Sequence, residues 1–221
     1  MNPLPALTLI ETRVLGVLVE KEKTVPDTYP LSLNALTLGC NQKNNRDPVL
    51  AAGEGEVLAA VDALKGHDWV IESSGARVTR YAHNIGRVLR VPDQSVVLLA
   101  ALMLRGPQTP AELRAATERL HRFADTSSVE AFLAELADRP ATSGGPLVVL
   151  LPRRPGEREA RWAHLLSGPV AMTHEPEVTP NRPPEPAATS SWDRRLDALQ
   201  AEVDALRAEV AALRARLDDA R

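Results

Sequence analysis

Twice along this chain, three helical patterns are followed by two short strand-like runs, and that repeated order restricts the fold more than any single motif does. In the first copy, Leu9 to Glu22 places Leu9, Ile10, Val14, Val17 and Leu18 on one broad apolar stripe, with Glu11, Arg13 and Lys21 off it. Pro26 and Pro30 interrupt the chain, and Ser32 opens a short helix with Leu33, Leu36 and Leu38 that stops near Gly39. A third helix starts at Glu54, carries Val57, Leu58, Val61 and Leu64 inward, and ends at Gly66. Two strands, Trp69 to Ile71 and Arg77 to Tyr81, flank a turn at Ser73-Ser74-Gly75.

The second copy has the same layout. A helix runs from Asp93 to Leu104 and stops at Gly106-Pro107, and Thr109-Pro110-Ala111-Glu112 supplies an N-cap, a first-turn proline and a capping glutamate for the next. Ser127 or Ser128 starts the third, which carries Val129, Phe132, Leu133 and Leu136. An apolar strand at Leu147 to Leu151, a turn at Pro152 to Glu157 and a returning strand at Arg158 to Leu165 complete it. Three helices and a hairpin is the winged-helix order.

Beyond Gly168 the prolines crowd together and large apolar residues become scarce, so this stretch cannot bury enough surface to fold. From Ser190-Ser191 onward, apolar residues recur in alternating steps of four and three. Leu196, Val203, Val210 and Leu217 take the a positions of a heptad and Trp192, Leu199, Leu206 and Leu213 the d positions. Glu202 and Glu209 at g would face Arg207 and Arg214 at e of a partner helix, which favours a parallel pair. The chain is therefore expected to be mainly α with small β-hairpin wings (α+β). A winged-helix domain spans 7–90, a second spans 91–168, a Pro-rich linker spans 169–190 and a coiled coil spans 191–221.

Composition narrows the function. With 3% aromatic residues the cores must be built mostly from Leu, Val and Ala. The single cysteine, Cys40, forms no intrachain disulfide and assembles no zinc site, and it reads as a small buried hydrophobe rather than a nucleophile. No apolar run reaches the roughly 18 residues that span a bilayer, and Met1 to Ala6 lacks the basic start of a signal peptide, so the expected compartment is the cytoplasm. The five histidines are scattered without ligand or triad spacing, and no phosphate loop or dinucleotide fingerprint is present. No enzymatic activity, cofactor or metal is expected.

Three strings carry a resemblance. YPLSLNALTLGCNQKNNRDPV at Tyr29 to Val49, RGPQTPAELR at Arg105 to Arg114 and RRPGEREARWAHLLSG at Arg153 to Gly168 are long and unusual, and with them residues 7–168 resemble the YceH family of bacterial proteins. The resemblance implies a pair of winged-helix domains and carries no catalytic residues. The linker and coiled coil lie outside it.

Charge bears on nucleic acid. Residues 1–90 carry ten basic and ten acidic side chains and residues 91–169 nine of each, so any DNA contact must come from a local patch. Asn41, Gln42, Lys43, Asn44, Asn45 and Arg46 form the most suggestive stretch, since amides can read base edges and cations can hold phosphate. The same amides can instead cap helices and satisfy loop backbone. Arg77 and Arg80 on the first hairpin, and Arg153, Arg154 and Arg158 on the second, are further candidates, although solvated hairpin charge is the simpler account. Against DNA stand Glu54, Glu56 and Asp62 on one third helix and Glu130, Glu135 and Asp138 on the other. The sequence thus supports a non-enzymatic regulatory protein that binds DNA weakly, or with a partner's help, as a coiled-coil homodimer. Its alternative is a protein-interaction adaptor that uses the same folds as scaffolds.

Overall fold

The computed structural model describes residues 5–74, 78–153 and 156–170. Helix α1 (Leu9–Thr24) starts at a capping box in which Thr8 Oγ1 accepts from the Glu11 N–H at 3.3 Å and the Glu11 carboxylate accepts from the Thr8 N–H at 2.6 Å. Every residue from Thr12 to Val19 is buried. The expected single stripe is corrected on this point: Leu9 is 48% exposed, whereas Arg13 is fully enclosed. A stripe describes a helix covered on one side only. Here α1 is covered on several sides, by α2 (Leu33–Cys40), α3 (Glu54–Lys65) and α5 (Asp93–Arg105).

Glycine sets how closely these helices approach. A Cβ at Gly39 would lie 2.5 Å from Val17 Cγ1, and one at Gly16 would lie 2.8 Å from Leu104 Cγ. Both positions thus let a neighbouring helix come nearer than alanine would permit. Helix α2 is capped by Ser32, and α3 begins at Gly53 with Glu56 accepting from the Gly53 N–H at 2.8 Å. On α3 the buried residues are Val57, Ala60, Val61 and Leu64, a true i, i+3, i+4, i+7 set, which leaves Leu58 37% exposed instead of inside.

A three-stranded antiparallel sheet follows, in the order β1 (Leu31–Ser32), β3 (Thr79–His83), β2 (Val70–Ser74), with Leu31 opposite Tyr81 and Val70 opposite His83. Both hairpin strands sit further along than the sequence pattern placed them, and β1 was not anticipated, because two residues are too few to show alternation. The one-turn helix α4 (Ile85–Leu89), also unforeseen, leads into α5.

In the second half, α5 is buried from Ser95 through Leu104. Helix α6 (Pro110–Thr117) has the expected Thr109–Glu112 capping box. Helix α7 (Thr126–Ala137) starts one residue before the expected serines, because Asp125 is the cap: its Oδ1 accepts from both the N–H and the hydroxyl of Ser128 at 2.7 Å. Strands β4 (Val148–Leu150) and β5 (Trp162–His164) pair antiparallel, and Gln108 adds a single bridge to Trp162. In both halves, the residue or residues just ahead of the second helix pair with the last strand.

The described residues are thus a mixed α/β structure with seven helices and two small antiparallel sheets. The buried residues of both halves form one hydrophobic core, with α1 against α5 at its centre. The Leu7 N–H donates to Leu166 O at 2.8 Å, tying the start of the unit to its end. The coiled coil expected over 191–221, and the linker after Val170, lie outside the described residues.

Candidate nucleic-acid interface

The loop joining α2 to α3 holds the six residues that the sequence marked for nucleic acid, and they divide into two groups. Asn41 closes the loop as a clamp, its Nδ2 donating to Ala52 O and its Oδ1 accepting from the Ala52 N–H, both at 2.8 Å. Gln42 Oε1 accepts from Arg46 Nη2 at 2.9 Å and from Lys21 Nζ at 3.4 Å. Arg46 points inward and its side chain is wholly buried. Its Nε donates to Gly39 O at 3.2 Å, Nη1 to Asn45 O at 2.9 Å and to Glu20 Oε1 at 3.1 Å, and Nη2 to Glu20 Oε2 at 2.6 Å.

Arg46 is therefore no phosphate contact, which corrects the expectation from its sequence neighbourhood. Burying a guanidinium costs least when its charge is paired as well as hydrogen-bonded, and Glu20 supplies the carboxylate from α1. Burial alone would push the Glu20 carboxyl up, but the hydrogen bond and charge of Arg46, with help from Lys21, outweigh it and hold it below the ordinary value. Lys43, Asn44 and Asn45 form the second group. They are exposed, and among the described residues their side chains make no hydrogen bond. Asn45 adopts the left-handed conformation at φ 59°, which asparagine tolerates better than most residues.

Arg13, which the sequence reading placed off the apolar stripe, is the second buried arginine. It donates from Nη1 to Cys40 O at 3.0 Å and from Nη2 to Pro48 O at 2.6 Å. Arg13 and Glu20 stand seven residues apart, two helical turns, so they share the face of α1 that meets this loop. That spacing was the available signal. Cys40, whose carbonyl accepts from Arg13, is fully buried, its thiol pushed up to about 12 chiefly by burial, with Arg13 and Arg46 acting in the opposite sense.

The hairpin arginines are dispersed. Arg80 is exposed, yet its Nη1 donates to Pro30 O at 2.7 Å and Thr28 O at 3.2 Å, which holds the turn before β1. Arg153 and Arg158 are exposed, whereas Arg77 and Arg154 lie outside the described residues. Glu54, Glu56 and Asp62 on α3 and Glu130, Glu135 and Asp138 around α7 all face solvent. The described surface thus offers Lys43 as the loop's outward cation, beside a third helix fringed with carboxylates. The eight heptad residues Trp192, Leu196, Leu199, Val203, Leu206, Val210, Leu213 and Leu217 lie outside the described residues. No helix among the described residues is long and apolar enough to cross a membrane.

Comparison with known proteins places the chain. A family model described as a protein of unknown function, DUF480, matches residues 7–157. A UPF0502 protein of Delftia acidovorans is 56% identical over 200 residues, covering 89% of this chain and 86% of the relative. A UPF0502 protein of Methylibium petroleiphilum is 60% identical over 208 residues, covering 90% and 85%, and one of Leptothrix cholodnii is 63% identical over 164, covering 74% and 72%. The chain belongs to this DUF480/UPF0502 family, which is the YceH family that its three strings resemble.

Proposed function

We propose that this protein is a non-enzymatic interaction adaptor whose two halves are winged-helix scaffolds and whose α3 surface docks a partner protein. The observation that carries this reading is on α3, where Leu58 stands 37% exposed on the face it shares with the exposed carboxylates of Glu54 and Asp62. An exposed apolar side chain with Glu54 and Asp62 one turn to either side suits a basic, amphipathic partner and disfavours phosphate. The repeated element order, and the matching placement of β1 and Gln108 ahead of the second helices, support the winged-helix description. The heptads at 191–221 support a homodimer, and the compartment that fits the single cysteine is the cytoplasm.

DNA binding is the second reading. It is favoured by one feature, the exposed Lys43-Asn44-Asn45 tip on a loop that two buried arginines hold in place. The two readings separate in a duplex titration of the full-length chain at about 50 mM salt, where phosphate contacts are least screened. The adaptor reading expects affinity no tighter than the non-specific range of about 10⁻⁴ to 10⁻⁶ M, with Lys43→Ala changing it little. Tight, sequence-selective binding that Lys43→Ala weakens would install the DNA reading instead.

A further inference from the structure

A cleft of about 500 Å³ opens between the α2–α3 loop, the end of α5, α6 and β5, lined by Asp47, Arg105, Gln108, Glu112 and Arg161 among others. Its walls are fixed to one another: the Asp47 N–H donates to Leu104 O at 2.8 Å, and the Gln108 N–H and C=O pair with Trp162. The volume is in the range of pockets that hold small ligands, roughly 300–1,000 Å³.

The two arginines of this cleft are in opposite states. Arg161 is satisfied: Nη1 and Nη2 donate to the two oxygens of Glu112 at 2.6 and 3.0 Å, and Nη1 also reaches Pro107 O at 3.2 Å. Arg105 is half-buried and makes no hydrogen bond or ion pair among the described residues. Burial pulls its pKa down more than the field of Glu20 raises it, and Glu20 already bonds Arg46 and Lys21. A guanidinium does not shed its proton at ordinary pH, and an anion entering the cleft would restore the interactions that burial takes from it. The carboxylate of Asp47, which also lines the cleft, is exposed and has no hydrogen-bond partner among the described residues.

An unpaired guanidinium and an unpaired carboxylate in one fixed cleft match a ligand that carries both charges. We propose that this cleft binds a zwitterionic small molecule, its carboxylate meeting Arg105 and its ammonium group meeting Asp47. The Glu112–Arg161 pair forms a rigid, already neutralised wall, so it adds shape and leaves the recognition charges to the other two residues.

The test is a titration of full-length ¹⁵N-labelled protein with glycylglycine, which carries both groups, and with N-acetylglycine, which keeps the carboxylate alone. Glycylglycine is expected to saturate in the millimolar range and to shift the amides of Asp47 and Gln108. Arg105→Gln should weaken it about tenfold or more, the worth of a charge-assisted contact. Asp47→Asn should weaken glycylglycine and leave N-acetylglycine unchanged. Arg105→Lys, which keeps the charge, and an unchanged thermal midpoint in each variant separate lost binding from lost folding. Absence of saturation by glycylglycine, or equal affinity in Arg105→Gln, overturns the proposal. Neither result bears on the α3 surface, because no residue is shared between the two.

Discussion

The guanidinium of Arg46 and the carboxylate of Glu20 form a paired fork, Nη2 to Oε2 at 2.6 Å and Nη1 to Oε1 at 3.1 Å, across 26 residues of sequence. Together with Arg13, this pair fastens the α2–α3 loop to α1. Arg46→Ala removes the guanidinium's bonds to Gly39 O, Asn45 O, Gln42 and Glu20 and leaves Glu20 with Lys21 alone, so it is expected to cost about 3–5 kcal/mol in urea unfolding. Arg46→Lys should recover little of it, because an ammonium cannot reach Gly39 O, Asn45 O and both Glu20 oxygens at once.

The same pair sets a pH dependence. The folded Glu20 carboxyl is held below the ordinary value of 4.5, so the folded state binds fewer protons than the unfolded chain in that region. Its contribution is intact above 4.5 and is lost as pH falls through the depressed folded value. Urea midpoints measured from pH 7 down to pH 3 should fall more steeply for the wild type than for Glu20→Gln. Parallel curves would remove the pair from the account.

Helix α3 gives a sharper contrast. Leu133 on α7 is fully buried, so Leu133→Ala should destabilise by about 2–5 kcal/mol. Leu58 is 37% exposed, so Leu58→Ala should stay within about 0.5 kcal/mol of wild type. Equal, large losses at both sites would mean that α3 buries the other face.

Much of this was legible from residues alone. Helix boundaries followed from local chemistry, as at Thr109 and Glu112, whose capping box is visible in four consecutive residues. Apolar periodicity located α1, α3, α5 and α7. It misplaced Leu58 and Arg13, because periodicity says which residues share a face and not how many faces are covered. The site was less legible. Asn41 to Arg46 read as one polar stretch, yet Arg46 is buried, Asn41 and Gln42 are tied to neighbouring groups by their side chains, and Lys43, Asn44 and Asn45 turn out unbonded. That division depends on Glu20, far away in sequence, and a local pattern carries no information on such a partner.

The heptads predict that residues 190–221 hold two chains together. Deleting them should convert a dimer to a monomer in sedimentation while leaving thermal unfolding of the remaining chain nearly unchanged, since four regular heptads suffice for pairing. A dimer that survives the deletion would place the contact elsewhere.

The adaptor reading is tested most directly by capture on the immobilised full-length chain from nuclease-treated cell extract, comparing wild type, Lys43→Ala and a variant combining Glu54→Ala, Leu58→Ala and Asp62→Ala. All three changed positions of that variant are exposed, so its unfolding midpoint should match wild type. The account predicts that wild type and Lys43→Ala retain the same protein partner in matching amounts and that the α3 variant loses it. Retention of the partner by the α3 variant, or recovery of DNA and no protein when nuclease is omitted, would contradict it.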